Sequence, residues 1–217
     1  MNRHLSDENT YQKMRENPRL DVNNAFHKEL RRICGGDNAT YDRFKMRVAP
    51  LPYLYGVIKT HKDGNPSRPI ISTVNTVTHL LSSYLCKVLE PLVGTISHAH
   101  LKNVDQFYEE VNAVIIHPDM VLASFDVENM YTNVPIDMVC DYLTTYLENF
   151  ALDFEVWLII AMIRICIVGT CFQFEDQFYK QIYGLQMGAK LSPIIANIAL
   201  EIFETNSVGD IVQQSVF

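Results

Sequence analysis

Apolar residues recur with a helical period most clearly in the middle of the chain. Val77, Leu80, Leu81, Tyr84, Leu85, Val88, Leu89 and Leu92 fall at i, i+3, i+4, i+7, i+8 and onward. That spacing places them on one face and predicts an amphipathic helix. A second helix is expected over Val104–Ile115. Pro135 opens a third, with Ile136, Val139, Cys140, Leu143 and Leu147 on one side. Proline suits a first helical turn, and Asp137 there suits the helix dipole. Residues 155–170 are apolar nearly all round, which predicts a buried helix. Ser192-Pro193 reads as an N-cap followed by proline at N1, starting a helix that runs to about Glu204.

Extended structure is expected in three places. LPYLYGVIKTHK and SRPIISTV flank Asp63-Gly64-Asn65-Pro66, two β-prone runs around a turn. Residues 121–127, VLASFDV, form a short apolar run with the character of a buried strand. FQFEDQFYKQ alternates aromatic and polar residues around Glu175-Asp176, the pattern of a hairpin. GLQMGAK follows as a loop. Residues 1–47 are polar, with weak helical periodicity around Phe26–Ile33 and a break at Gly35-Gly36. The fold class expected is α+β, helix-rich with a small antiparallel sheet.

Composition narrows the function classes. The 217 residues are 48% hydrophobic and 20% charged, which is globular composition and not that of a disordered chain. The net charge of −7 hides an asymmetry. Residues 1–47 carry 10 Lys+Arg and 7 Asp+Glu, and the remainder carries 8 and 18. Binding to a polyanion would therefore rest on a few placed cations and not on a broad basic face. The five cysteines form no C-x-x-C pair. They read as buried thiols of a reducing compartment, and the histidines are not at zinc-ligand spacing from them. The N-terminus has no signal-peptide character. The apolar run Val156–Phe172 is broken by Arg164, so a core helix is the expectation and not a membrane span. An intracellular protein, nuclear or cytoplasmic, fits these features.

Three groups of residues could carry chemistry. Asp126 stands near the end of an apolar run, where an ionised carboxylate is costly without a cation such as Mg²⁺. The alternative is an aspartate that caps the following turn. Lys59, Lys62 and Arg68 flank the 63–66 turn; Lys59 and Arg68 could grip a triphosphate, as a point charge and a fork respectively, or belong to a solvated loop. Gly184 and Gly188 bracket Leu185-Gln186-Met187 ahead of a helix, where backbone can approach a ligand closely or simply turn.

Taken in order, these segments resemble a reverse transcriptase, most closely the Penelope-like retroelement type. LPYLYGVIKTHKDGNPSRPIIS resembles the fingers segment, LASFDVENMYTNVP palm motif A, and FQFEDQFYKQIYGLQMGAKLSPIIANIALEIFE the hairpin, motif B and following helix. The resemblance spans Leu51–Glu204. It implies fingers over residues 48–120, a partial palm over 121–205, a polar N-terminal segment before them and an unpatterned tail after 205. It implies RNA-directed DNA polymerase activity, a nucleotidyl transfer by two Mg²⁺ ions on an RNA template and DNA primer with dNTP as substrate.

By the same resemblance, Asp126 is the catalytic carboxylate and binds metal together with the Val127 carbonyl. Tyr131 packs under the incoming sugar. Lys59 and Arg68 hold the triphosphate. Met187, Gly188, Ser192 and Pro193 line the nucleotide pocket. Ala189-Lys190 stands where the family more often has small residues and proline. The family also needs an aromatic-x-Asp-Asp motif C after motif B, and no Asp-Asp dipeptide occurs in the chain. One carboxylate cannot clamp two Mg²⁺ ions against their repulsion. The expectation is an incomplete right-hand polymerase fold that is inactive alone, with self-association through an exposed palm edge. The alternative is a non-catalytic remnant of a retrotransposon that binds nucleic acid or protein.

Overall fold

In a computed structural model of the chain, the described residues are 2–60, 64–97, 100–115, 117, 124 and 126–207. The elements in chain order are α1 (Asn2–Leu5), β1 (Tyr11–Met14), α2 (Arg19–Ile33), α3 (Asn38–Phe44), β2 (Tyr53–Ile58), β3 (Ser67–Ser72), α4 (His79–Leu89), α5 (Val104–Ala113), α6 (Met130–Asn133), α7 (Ile136–Tyr146), α8 (Val156–Ile167), β4 (Cys171–Phe174), β5 (Gln177–Gln181) and α9 (Ser192–Ser207). Short 3₁₀ turns extend α4 at Glu90–Leu92 and α7 at Leu147–Asn149. The class is α+β, as expected.

The helices enclose the main core. Leu81, Leu85 and Leu89 of α4 are fully buried, as are Val139 and Leu143 of α7 and Ile159, Met162 and Ile163 of α8. α9 adds Ile195, Ala196 and Ile198. In α4 and α7 the predicting periodicity is largely the one with which they bury, although Leu80, on the expected face of α4, is exposed. Residues of the polar N-terminal segment join the same core: Phe26, Leu30 and Ile33 from α2, and Tyr41 and Phe44 from α3. Asp37 caps α3, accepting the Ala39 and Thr40 backbone N–H groups at 2.9 and 3.3 Å. The Thr40 hydroxyl, which donates to it, and these backbone bonds hold its carboxyl below the usual range. Ser192, expected as the cap of a helix over Pro193–Glu204, is instead the first residue of α9, which runs on to Ser207; the Ser192 N–H donates to the Ala189 carbonyl at 3.2 Å.

The strands form one five-stranded sheet in the order β1-β5-β4-β2-β3. Both expected hairpins are present, with Tyr53 opposite Ser72 in one and Cys171 opposite Lys180 in the other. The sheet is not purely antiparallel. β2 and β4 run parallel and join at Tyr53 and Gln173; the chain between them is long enough for the crossover that parallel strands need. β1, which no local pattern announces, pairs antiparallel with β5. One face buries Leu54, Ile71 and Phe172 with Tyr11 and Leu5. Phe172 meets Tyr11 edge-on at 5.8 Å and stacks on Tyr179 at 5.7 Å.

The strand expected over 121–127 lies mostly outside the described residues. Ser124, Asp126 and Val127, which are described, are exposed and take no strand conformation. Lys62 and Asp63 at the first hairpin tip, and 208–217 of the tail, also lie outside them. All five cysteines are buried and free. Among the described residues, no helix is long and apolar enough to cross a membrane.

Candidate functional site

The β2–β3 hairpin places the two fingers-like cations on one face. Alternation along β2 puts Tyr53, Tyr55 and Val57 on the side opposite buried Leu54, and each is nearly half exposed. Their cross-strand partners are Ser72, Ile70 and Arg68. Lys59, one residue past the strand, continues the same alternation, and its N–H still donates to the Pro66 carbonyl at 2.9 Å. Lys59 and Arg68 therefore share a face with two exposed tyrosines. The sequence reading selected the cations and missed Tyr55 and Ile70 between them. The alternation Y-L-Y-G-V over residues 53–57 was the signal that could have found them.

The loop between β5 and α9 runs against the free edge of β3. The Ile71 N–H donates to the Met187 carbonyl at 2.7 Å, which occupies a backbone group that an edge strand would leave open. Gly188 follows at φ +103°, where a Cβ would stand 2.7 Å from Ile70 Cγ2 and 2.9 Å from the Ile71 carbonyl oxygen. Only glycine fits this approach.

The other end of the same loop meets the segment after Asp126. The Leu185 N–H donates to the Tyr131 carbonyl at 2.7 Å. Gly184, at φ +69°, lies so close to Thr132 that a Cβ would be 2.6 Å from three of its backbone atoms. Residues 184–188 thus bridge the hairpin and α6. The motif-like stretches, far apart in sequence, meet through this one loop.

Within that frame the expected site residues divide. Met187 and Tyr131 are half-buried, and Tyr131 packs against the helical core. Gly188 and Pro193 are exposed, whereas Ser192 is buried at the start of α9. Asp126 and Val127 are exposed just before α6. Asp126 is thus exposed, and not desolvated as expected. Lys190 turns from the loop to α4, where its Nζ donates to Ser83 Oγ at 2.9 Å. Gln186, which sequence reasoning passed over, is buried at the loop centre.

The donor set tests the implied metal. Among the described residues, no group of three or more His, Cys, Asp or Glu side chains converges to hold an ion. Among the described residues, the expected position offers the Asp126 carboxylate and the Val127 carbonyl, with exposed Glu128 two residues on. That set does not fit a two-ion centre, which needs further carboxylates to offset the repulsion between the ions.

A scan against protein-family models finds no match to this chain, and a search of curated proteins finds none.

Proposed function

We propose that this chain is a reverse-transcriptase fragment, comprising fingers and the first part of the palm, that keeps the nucleotide-binding half of the site. The observation that carries this reading is the bridge made by residues 184–188. It brings the fingers-like hairpin, the segment after Asp126 and the motif B-like loop into direct backbone contact. Segments that resemble the family's motifs, in its order, are thus joined by one loop, which supports the reading. In this reading Lys59 and Arg68 take the triphosphate, Arg68 by its planar fork. Tyr131, Met187, Gly188, Ser192 and Pro193 border the sugar and base. RNA template, DNA primer and dNTP are the ligands.

The chemistry is limited by the carboxylates. Asp126 alone cannot assemble the two-ion centre, so the 217-residue chain is assigned binding without polymerisation. Mg²⁺-dependent primer extension on an RNA template, with Asp126→Ala alongside, tests this. No extension is expected, together with template–primer binding that weakens steeply with salt. Extension that disappears in Asp126→Ala would overturn the non-catalytic half and require a second carboxylate from elsewhere. A folded chain that binds neither primer–template nor dNTP would overturn the family reading.

A further inference from the structure

Behind the bridging loop lies a small, partly open cavity with room for about 10 Å³. Its polar lining is Thr73, Thr78, Ser82, Thr170, Gln186 and Ser192. These come from the β3–α4 connection, α4, the α8–β4 linker, the loop and α9. Two of them bring buried polar atoms, Thr170 Oγ1 and Gln186 Nε2, that have no hydrogen-bond partner among the described residues. Unsatisfied buried groups are rare in native proteins, and each calls for an explanation.

We propose that this cavity is a binding site for one ordered water that bridges Gln186 Nε2 and Thr170 Oγ1. The volume decides the class of occupant. A water needs roughly 10–15 Å³ of such space and two to four polar partners, whereas a phosphate or carboxylate is too large. Charge decides the rest. The lining side chains are neutral, and the nearby Lys190 ammonium is engaged with Ser83. A desolvated halide there would lack the paired cation that a buried ion requires. A water can accept from the Gln186 amide, donate to the Thr170 hydroxyl and offer its second hydrogen to another lining hydroxyl. Gln186 then acts as a positioning residue. Its backbone lies between Leu185, bonded to Tyr131, and Met187, bonded to Ile71, so the water fixes the middle of the bridge from behind. The water site lies on the buried side of the loop and is independent of whatever ligand the exposed face takes.

A high-resolution crystal structure of the full chain is the direct test. A solvent peak within hydrogen-bond reach of both atoms is the expected result. A dry cavity, or a Gln186 amide turned onto a protein acceptor, overturns the proposal, as does an anomalous peak there after a bromide soak. In solution, water–protein cross-relaxation at the Gln186 side-chain amide should report a long-lived water and vanish in Thr170→Val. Amide exchange at Leu185 and Ile71 should quicken about tenfold in Gln186→Met, the scale of one lost buried hydrogen bond, and stay at the wild-type rate in Thr170→Ser. Absence of the long-lived water signal in the wild-type chain overturns the proposal, whatever the variants do.

Discussion

The Glu201 carboxylate of α9 accepts the Gly94 backbone N–H at 2.7 Å across 107 residues of sequence. Its second oxygen accepts the Ile96 and Ser97 N–H groups at 3.0 and 3.2 Å. Glu201 is buried, so these three donors take the place of water around the charge. The loop after α4 is thereby fixed to α9. Thr205 Oγ1, one turn further along α9, also reaches the Ile96 carbonyl, at 3.4 Å.

Replacing Glu201 with Ala should strand three backbone donors. The expected loss is about 2–3 kcal/mol, a fall in melting temperature of roughly 5–10 °C for a chain of this size. Glu201→Gln keeps one acceptor oxygen and should lie between. Calorimetry on the two variants checks the order, and equal melting points for all three chains would refute the role.

Gly184 offers a second test. Ala there would combine a left-handed backbone with a 2.6 Å clash against the Thr132 backbone. Gly35→Ala serves as the control, since at φ +57° a Cβ would meet nothing within 4 Å. The control should cost about 1 kcal/mol, the conformational part alone. Gly184→Ala should cost at least about 1 kcal/mol more, because backbone has to move. Urea midpoints measure the difference. Equal costs would mean that the loop does not press on α6.

Much of the architecture is written in local pattern. The helical spacing from Leu81 to Leu89 predicts α4 because those side chains are the ones the core takes. The aromatic–polar alternation around Glu175 predicts the β4–β5 hairpin, and Glu175 indeed adopts φ +51° at its turn. α2 is fainter, since only Asn23, Phe26, Leu30 and Ile33 of its 15 residues are buried. β1 has no local signal at all; YQKM is a strand because β5 offers it a ladder. The parallel junction of Tyr53 with Gln173 and the Glu201 cap are equally non-local. Of the candidate site, the cations and the loop glycines are legible by residue type. The bridge that unites them is not, because it consists of backbone hydrogen bonds, which leave no trace in the side-chain pattern beyond the two glycines.

Lys59 and Arg68 should act on ligands and not on stability. Arg68 is exposed and Lys59 only partly covered, and neither forms an ion pair that would be lost among the described residues. Lys59→Ala and Arg68→Ala should each leave the melting temperature within about 1–2 °C of wild type. Under the proposed function, affinity for a labelled dNTP should fall in each variant, and the slope of log affinity against log salt should shrink because a phosphate contact is lost. Salt titrations by fluorescence anisotropy would show it. An unchanged slope in the double variant would place the phosphate contacts elsewhere.

Alkaline pH should weaken the fold from a defined point. Burial pushes up the thiols of Cys34, Cys86, Cys140 and Cys171, and that of Cys166 to about 12. In the unfolded chain a thiol ionises near 9.0. Below that pH both states hold the proton and stability does not change. Above it the unfolded state gives up protons that the native state keeps, so stability falls as pH rises from 9.0 towards 12. The buried hydroxyls of Tyr11 and Tyr84, also shifted upward, add to the decline above 10.0. Urea midpoints should therefore be level from pH 7 to 8.5 and drop beyond about pH 9.5. Cys166→Ala should lower the whole curve through its cavity yet reduce the alkaline slope. A variant curve parallel to wild type throughout would show that ionisation at Cys166 has no part in the loss.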